Sequence, residues 1–164
     1  MVTALLRPHT FTTVHAYEDD SARSALLAGL LDDPATSEDR ELLEEFGRPW
    51  GSDFAYQLGG DLVLLTDDGS AVAGGALRRY DSTTAQLGWV WTRPSCRRAG
   101  LATHVLAELE AAAAWRGYER TYAVVGPGRG PARRLFAANG YVPVGRRIAD
   151  DGYLGFVKTV GPAG

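Results

Sequence analysis

The chain has 164 residues, 45% hydrophobic and 23% charged, which suits one soluble globular domain with a sizeable core. Its net charge is −3 and its basic residues form no concentrated block, so nucleic acid is not an expected partner. A lone cysteine excludes an internal disulfide, and no apolar run approaches the roughly 18 residues of a membrane span. A cytoplasmic protein without a membrane partner is expected.

Residues 1–10 carry little pattern and are expected to form an N-terminal extension, with 11–164 as a single domain. Phe11–Ala16 alternate weakly and suit a first strand. "DDSARSALLAGLLDD" predicts a helix: Asp20 or Ser21 can cap it, Ala22, Leu26, Leu27 and Leu30 share a stripe, and Pro34 ends it. A second short helix is predicted near Ser37 to Phe46, with Thr36 or Ser37 as cap.

The period then changes from helix to strand. "DLVLLTDDGSAVAGGALRRY" predicts two strands joined at Asp67-Asp68-Gly69, because Asp-Gly supplies the positive φ angles of a tight hairpin. A turn at Asp81-Ser82-Thr83 leads to a third strand, Thr84 to Thr92. The strongest helix runs from Leu101 to Arg116, with Val105, Leu109 and Ala112 on one stripe and Gly117 as its stop. A buried strand at Thr121–Val125, a helix at Pro131–Ala138 and strands at Tyr141–Ile148 and Tyr153–Val160 complete the chain. This order implies an α+β architecture with a mostly antiparallel sheet.

The junction "CRRAGLA", Cys96 to Ala102, lies between the third strand and the long helix. One reading is a tight turn with solvated charges. The other is an anion cradle: a helix N-terminus offers unpaired N–H groups, Gly100 permits close approach, and Arg97 and Arg98 add charge. No Gly-Lys-Ser/Thr follows, so it is not a Walker loop. The glycines of "VVGPGRGPARRLF" fail the dinucleotide spacing, because the sixth position is Pro131.

"TRPSCRRAGLATHVLAELEAAAAWRGY" resembles the acyl-CoA-binding motif of the GNAT superfamily of N-acetyltransferases, Arg/Gln-x-x-Gly-x-Gly/Ala, carried here by Arg97, Gly100 and Ala102. "GPGRGPARRLFAANGYVPV" resembles that family's later segment, with Leu135-Phe136 before Gly140-Tyr141. The resemblance covers roughly residues 11 to 160. It implies the GNAT fold, a mostly antiparallel central sheet flanked by helices, with acetyl-CoA as donor and a small-molecule or peptide amine as acceptor. It further implies that Val90 and Thr92 bind the pantetheine and acetyl carbonyl through their backbone. The amides of Arg98, Ala99, Gly100, Leu101, Ala102 and Thr103 would hold the pyrophosphate. A homodimer is the family-based expectation.

Two departures from the family pattern bear on catalysis. Gln86 stands where many relatives have a glutamate base, and Phe136 replaces a tyrosine placed to protonate the leaving thiolate. Gln86 and Tyr153 are the candidate catalytic residues, and Phe136 is a candidate cofactor contact. The alternative is an acyl-CoA-binding sensor or assembly subunit with little transfer activity.

Other residues each carry a plain reading beside a functional one. Cys96 is an incidental loop residue or a nucleophile that direct transfer would not need. Trp89 and Trp91 share a strand face, set by simple alternation opposite Gln86, Gly88 and Val90, and suit packing more than substrate stacking. His104 reads as a surface residue, and no His/Cys/Asp/Glu spacing suggests a metal. Asp81, Asp150, Asp151 and Tyr153 could rim an acceptor cleft or simply be solvated.

Overall fold

The computed structural model describes residues 12–15, 20–33, 61–126, 128–148 and 152–161. The predicted helix at Ser37–Phe46, the N-terminal extension, Asp150 and Asp151 lie outside them. Chain order is β1 (Thr12–His15), α1 (Asp20–Asp32), β2 (Asp61–Asp67), β3 (Ser70–Arg79), β4 (Thr84–Thr92), α2 (Leu101–Trp115), β5 (Arg120–Val125), α3 (Gly130–Ala138), β6 (Val142–Ile148) and β7 (Tyr153–Thr159). A short 3-10 turn, Pro94–Cys96, links β4 to α2.

The strands form one sheet in the order β1-β2-β3-β4-β5-β7-β6. Every neighbouring pair is antiparallel except β4 and β5. The parallel pair follows from the connection, since α2 carries the chain over one face before β5 begins. The final strand then inserts between β5 and β6.

The β2–β3 hairpin turns as its Asp-Gly pair dictates, with Asp68 at φ 53° and Gly69 at φ 80°. In β2, Leu62 to Leu65 are all buried because helices cover both faces of the sheet. Alternate residues divide between two cores. Val63, Leu65, Leu77, Leu87 and Ala123 pack with Val105, Leu106 and Leu109 of α2 and with Phe136 and Phe156. Leu62, Leu64, Ala76, Trp89 and Trp91 pack with Ala22, Leu26 and Leu30 of α1. On that second face Gly29 lies against Trp91, and a Cβ there would fall 2.6 Å from the indole ring. The absent side chain lets α1 rest on the tryptophan.

The buried stripe of α2 is Leu101, Val105, Leu106, Leu109 and Ala113. Ala112 is half-buried at its edge, one position from the centre of the predicted stripe. Among the described residues, no helix is long and apolar enough to cross a membrane.

Candidate active site

Two features of β4 set the site's geometry. The first is a bulge: Ala76 pairs with Gly88 but Gly74 pairs with Trp91, so β4 carries an extra residue at Trp89–Val90. Trp89 adopts φ 56°, in the left-handed region that a bulky side chain rarely visits, and burial of its indole holds it there. The second is an interrupted ladder. β4 pairs with β5 only from Thr84–Arg120 to Leu87–Ala123, although β4 runs on to Thr92 and β5 to Val125. Past Leu87, one edge of β4 therefore has no strand partner on the β5 side. The candidate cleft is the place where the two strands stop pairing, and its inner end is set by the Gln86–Tyr122 and Leu87–Ala123 rungs.

The bulge overturns one expectation from strict alternation. Ala85 and Leu87 face α2, and so does Val90, whereas Trp89 and Trp91 face α1. Gln86 consequently shares the α1 face with the two tryptophans instead of lying opposite them. One inserted residue shifts the phase of the pleat, and no repeat of period two can show that.

The outer end of the cleft meets the loop before α2. Arg98 and Gly100 have positive φ, 67° and 76°, and Gly100 is the N-cap of the helix. No side chain caps it and its first turn holds no acid. The backbone N–H groups from Arg98 to Thr103 donate to nothing among the described residues. They stand in an exposed loop at the positive end of a 15-residue helix dipole. The arrangement favours an anion.

Arg97 does not add a free charge to that cradle. It forms an ion pair with Asp33, at the end of α1, and donates through Nε to the Thr92 carbonyl at 3.3 Å. The Asp33 side chain is only 3% exposed. The pair therefore fastens the loop to α1. Sequence reading missed Asp33, which carries no local motif and lies 64 residues from its partner. Arg98 makes no hydrogen bond or ion pair with the described residues.

The model of the acetyltransferase (GNAT) family matches residues 25–141. The chain is a GNAT-family protein. Its fold agrees with that assignment. An acyl-CoA N-acyltransferase assigned in Klebsiella pneumoniae superposes with a TM-score of 0.72 at 22% identity, over 93% of this chain and 99% of that one. A GNAT-family acetyltransferase from Staphylococcus aureus gives 0.72 at 13% identity, over 92% and 99%. One from Elizabethkingia anophelis, solved with acetyl-CoA bound, gives 0.67 at 14% identity, over 93% and 99%. No curated protein matches the chain in sequence.

In this GNAT protein the remaining candidate residues are spread around the cleft. Val90 packs toward α2, and Thr92 has a buried Oγ1 without a hydrogen-bond partner. Leu101 anchors the loop in the core while Ala102 is half-buried and Ala99 is exposed. The Phe136 ring is 5% exposed, edge-on to Tyr141 at 5.0 Å and stacked on Phe156 at 5.8 Å. It is a core element. Tyr153 lays its ring against Gly126 at the end of β5, on the same face as Gln86. Arg133 holds the adjoining turn through the Gly152 carbonyl at 2.7 Å. Cys96 packs against the α2-side core, and His104 lies on the surface, 3.8 Å from Glu108.

Sequence reading also passed over Arg78. It donates to Gln86 Oε1 from Nε at 3.1 Å and from Nη2 at 3.0 Å. The two residues are register partners on β3 and β4, which was visible only once the hairpin's alignment was fixed.

Proposed function

We propose that the protein transfers an acetyl group from acetyl-CoA to a primary amine by direct attack on the thioester. The observation that carries this reading is the half-open β4–β5 pair leading to a loop of unpaired amides. The free edge of β4 offers backbone groups of Val90 and Thr92 to the extended pantetheine, much as an added strand is bound. The amides from Arg98 to Thr103, with the Arg98 guanidinium, suit the pyrophosphate. The family and the acetyl-CoA bound by the Elizabethkingia relative support the choice of donor.

The chemistry asks little more than placement. The amine must first lose a proton from its ammonium form. Its nitrogen then bonds to the acetyl carbon, the carbon–sulfur bond breaks, and the thiolate takes up a proton. Gln86 cannot accept the first proton, and the Phe136 ring has none to give for the last. Acid–base terms are worth about 10²–10⁴-fold, whereas held proximity is worth more, so transfer can proceed with water carrying the protons. The same two residues favour a second reading, an acyl-CoA-binding protein with little turnover.

Gly100 gives the test. Nothing lies within 4 Å of a Cβ built on it, so a side chain there occupies the space a pyrophosphate would use. Gly100→Val should weaken acetyl-CoA binding more than about tenfold by calorimetry, a loss above about 1.4 kcal/mol. Unchanged affinity would remove the cradle. Thiol release across an amine panel separates the two readings, since tight binding without release selects the second.

A further inference from the structure

The α1 face carries a polar row that the transfer step leaves unused. Arg78, Gln86 and Tyr122 stand in register on β3, β4 and β5, at the closed end of the cleft. Arg78 donates to Gln86 Oε1 from both Nε and Nη2, and a guanidinium only donates, so the orientation of the amide is fixed by its partner. The Gln86 Nε2 is the end left over. It donates to nothing among the described residues, and it is not sealed from solvent.

Two tyrosines lie near this row: Tyr122 is in register with Gln86, and Tyr80 follows Arg78 by two residues. The rings of Tyr80 and Tyr122 lie 5.1 Å apart, and Tyr122 reaches over Gly155 of β7. Burial raises the Tyr122 hydroxyl above its ordinary range, with a smaller push from Tyr80, so it stays protonated. The row itself contains no carboxylate. Asp81, just beyond Tyr80, directs its Oδ1 to the backbone amides of Thr83 and Thr84 at 2.9 and 2.8 Å. The Gln86 amide and the neutral tyrosine hydroxyls are donors here, so the patch suits an oxygen acceptor.

We propose that Gln86 is a specificity-determining residue whose Nε2 donates to a carbonyl or carboxylate oxygen of the acceptor. The acceptor is then an amine with such an oxygen on the neighbouring carbon, as in an amino acid or peptide, and not a simple alkyl amine. Arg78 is the positioning residue that turns the amide. This rests on the transferase reading, because it places the acceptor at the closed end of the cleft. A donor with no partner rejects a ligand lacking the matching oxygen far better than a pocket rejects a missing methylene.

The test compares glycinamide with ethylamine in wild type, Gln86→Leu and Gln86→Glu, so that intrinsic amine reactivity cancels in the ratio. The wild-type preference in kcat/KM for glycinamide should fall at least about tenfold in Gln86→Leu. In Gln86→Glu, glycine should suffer more than glycinamide, through repulsion between carboxylates. A preference that survives Gln86→Leu, or a rise for every amine in Gln86→Glu, would overturn the proposal. Calorimetry of N-acetylglycinamide against N-ethylacetamide on the CoA-loaded protein reads the same contact without turnover. An inactive wild type that still prefers N-acetylglycinamide, and loses the preference in Gln86→Leu, supports the contact while the transferase reading falls. Equal binding of the two overturns the contact.

Discussion

The two faces of the sheet are drawn from alternate residues of the same strands, yet they differ in kind. The α2 face is packed with Val63, Leu65, Leu77, Val105, Leu106 and Leu109, all fully buried. Polar groups at its β5 end satisfy one another: buried Thr121 meets the Tyr141 hydroxyl at 2.8 Å, and half-buried Lys158 and Glu110 pair at 2.8 Å, while Thr92 Oγ1, where β4 runs past its pairing with β5, is buried without a partner. The α1 face is less finished. Trp91 Nε1 is buried without a partner, and Gln86 presents an amide that nothing among the described residues accepts. The first face holds the fold, whereas the second keeps polar capacity in reserve beside a cleft. Unused donors on an otherwise covered face are what a binding surface requires and a core avoids.

If that division holds, the faces should fail differently. Leu109→Ala, on the α2 face, should cost about 2–5 kcal/mol, read from the urea midpoint at constant slope. The ratio of glycinamide to ethylamine turnover in the folded fraction should stay as in the wild type. A change in that ratio would mean that the core side also selects the acceptor.

The link between the faces is the Arg97–Asp33 pair, and its loss should be smaller. Removing one partner of a fully buried pair costs about 3–5 kcal/mol, but Arg97 is 44% exposed and water screens it. Asp33→Asn should therefore cost about 1–2 kcal/mol. It should also raise the KM for acetyl-CoA more than it lowers kcat, because the loop loses its tie to α1. If kcat alone falls, Asp33 acts on the chemistry and not on the loop.

The smallest effect is expected at Asp81. Hydrogen bonding from the Thr83 backbone, partly opposed by desolvation and reinforced by Thr84, holds its carboxyl below the usual range. A depressed folded pKa gives stability that is present above the unfolded value of about 3.9 and lost as pH falls through and below it. Asp81→Asn keeps an Oδ1 acceptor for the turn but cannot titrate. Its melting temperature should follow acidification slightly less steeply than that of the wild type. Parallel curves would show that the turn contributes nothing to acid lability.

Much of the α2 face was legible in the sequence. Thr84–Thr92 is a strand over the predicted span, and the helix predicted from Leu101 to Arg116 ends one residue earlier, at Trp115. The Asp68-Gly69 turn and the glycine before α2 adopt the positive φ their residue types favour. Each is a local matter: a side chain's preference for its own backbone, or a period repeated over neighbours, and one chain records both. The features that define the site are not local. The bulge puts a tryptophan at φ 56° against its own preference, since burial outweighs the backbone cost. That inserted residue moves Gln86 to the tryptophan face. Arg97 turns from the cradle because a buried carboxylate on α1 needs a counter-ion. The β4–β5 ladder stops short because two strands that begin parallel part company beyond Leu87 and Ala123. Sequence determined which residues become strand, helix and turn; packing between distant segments decided which side chains meet in the cleft.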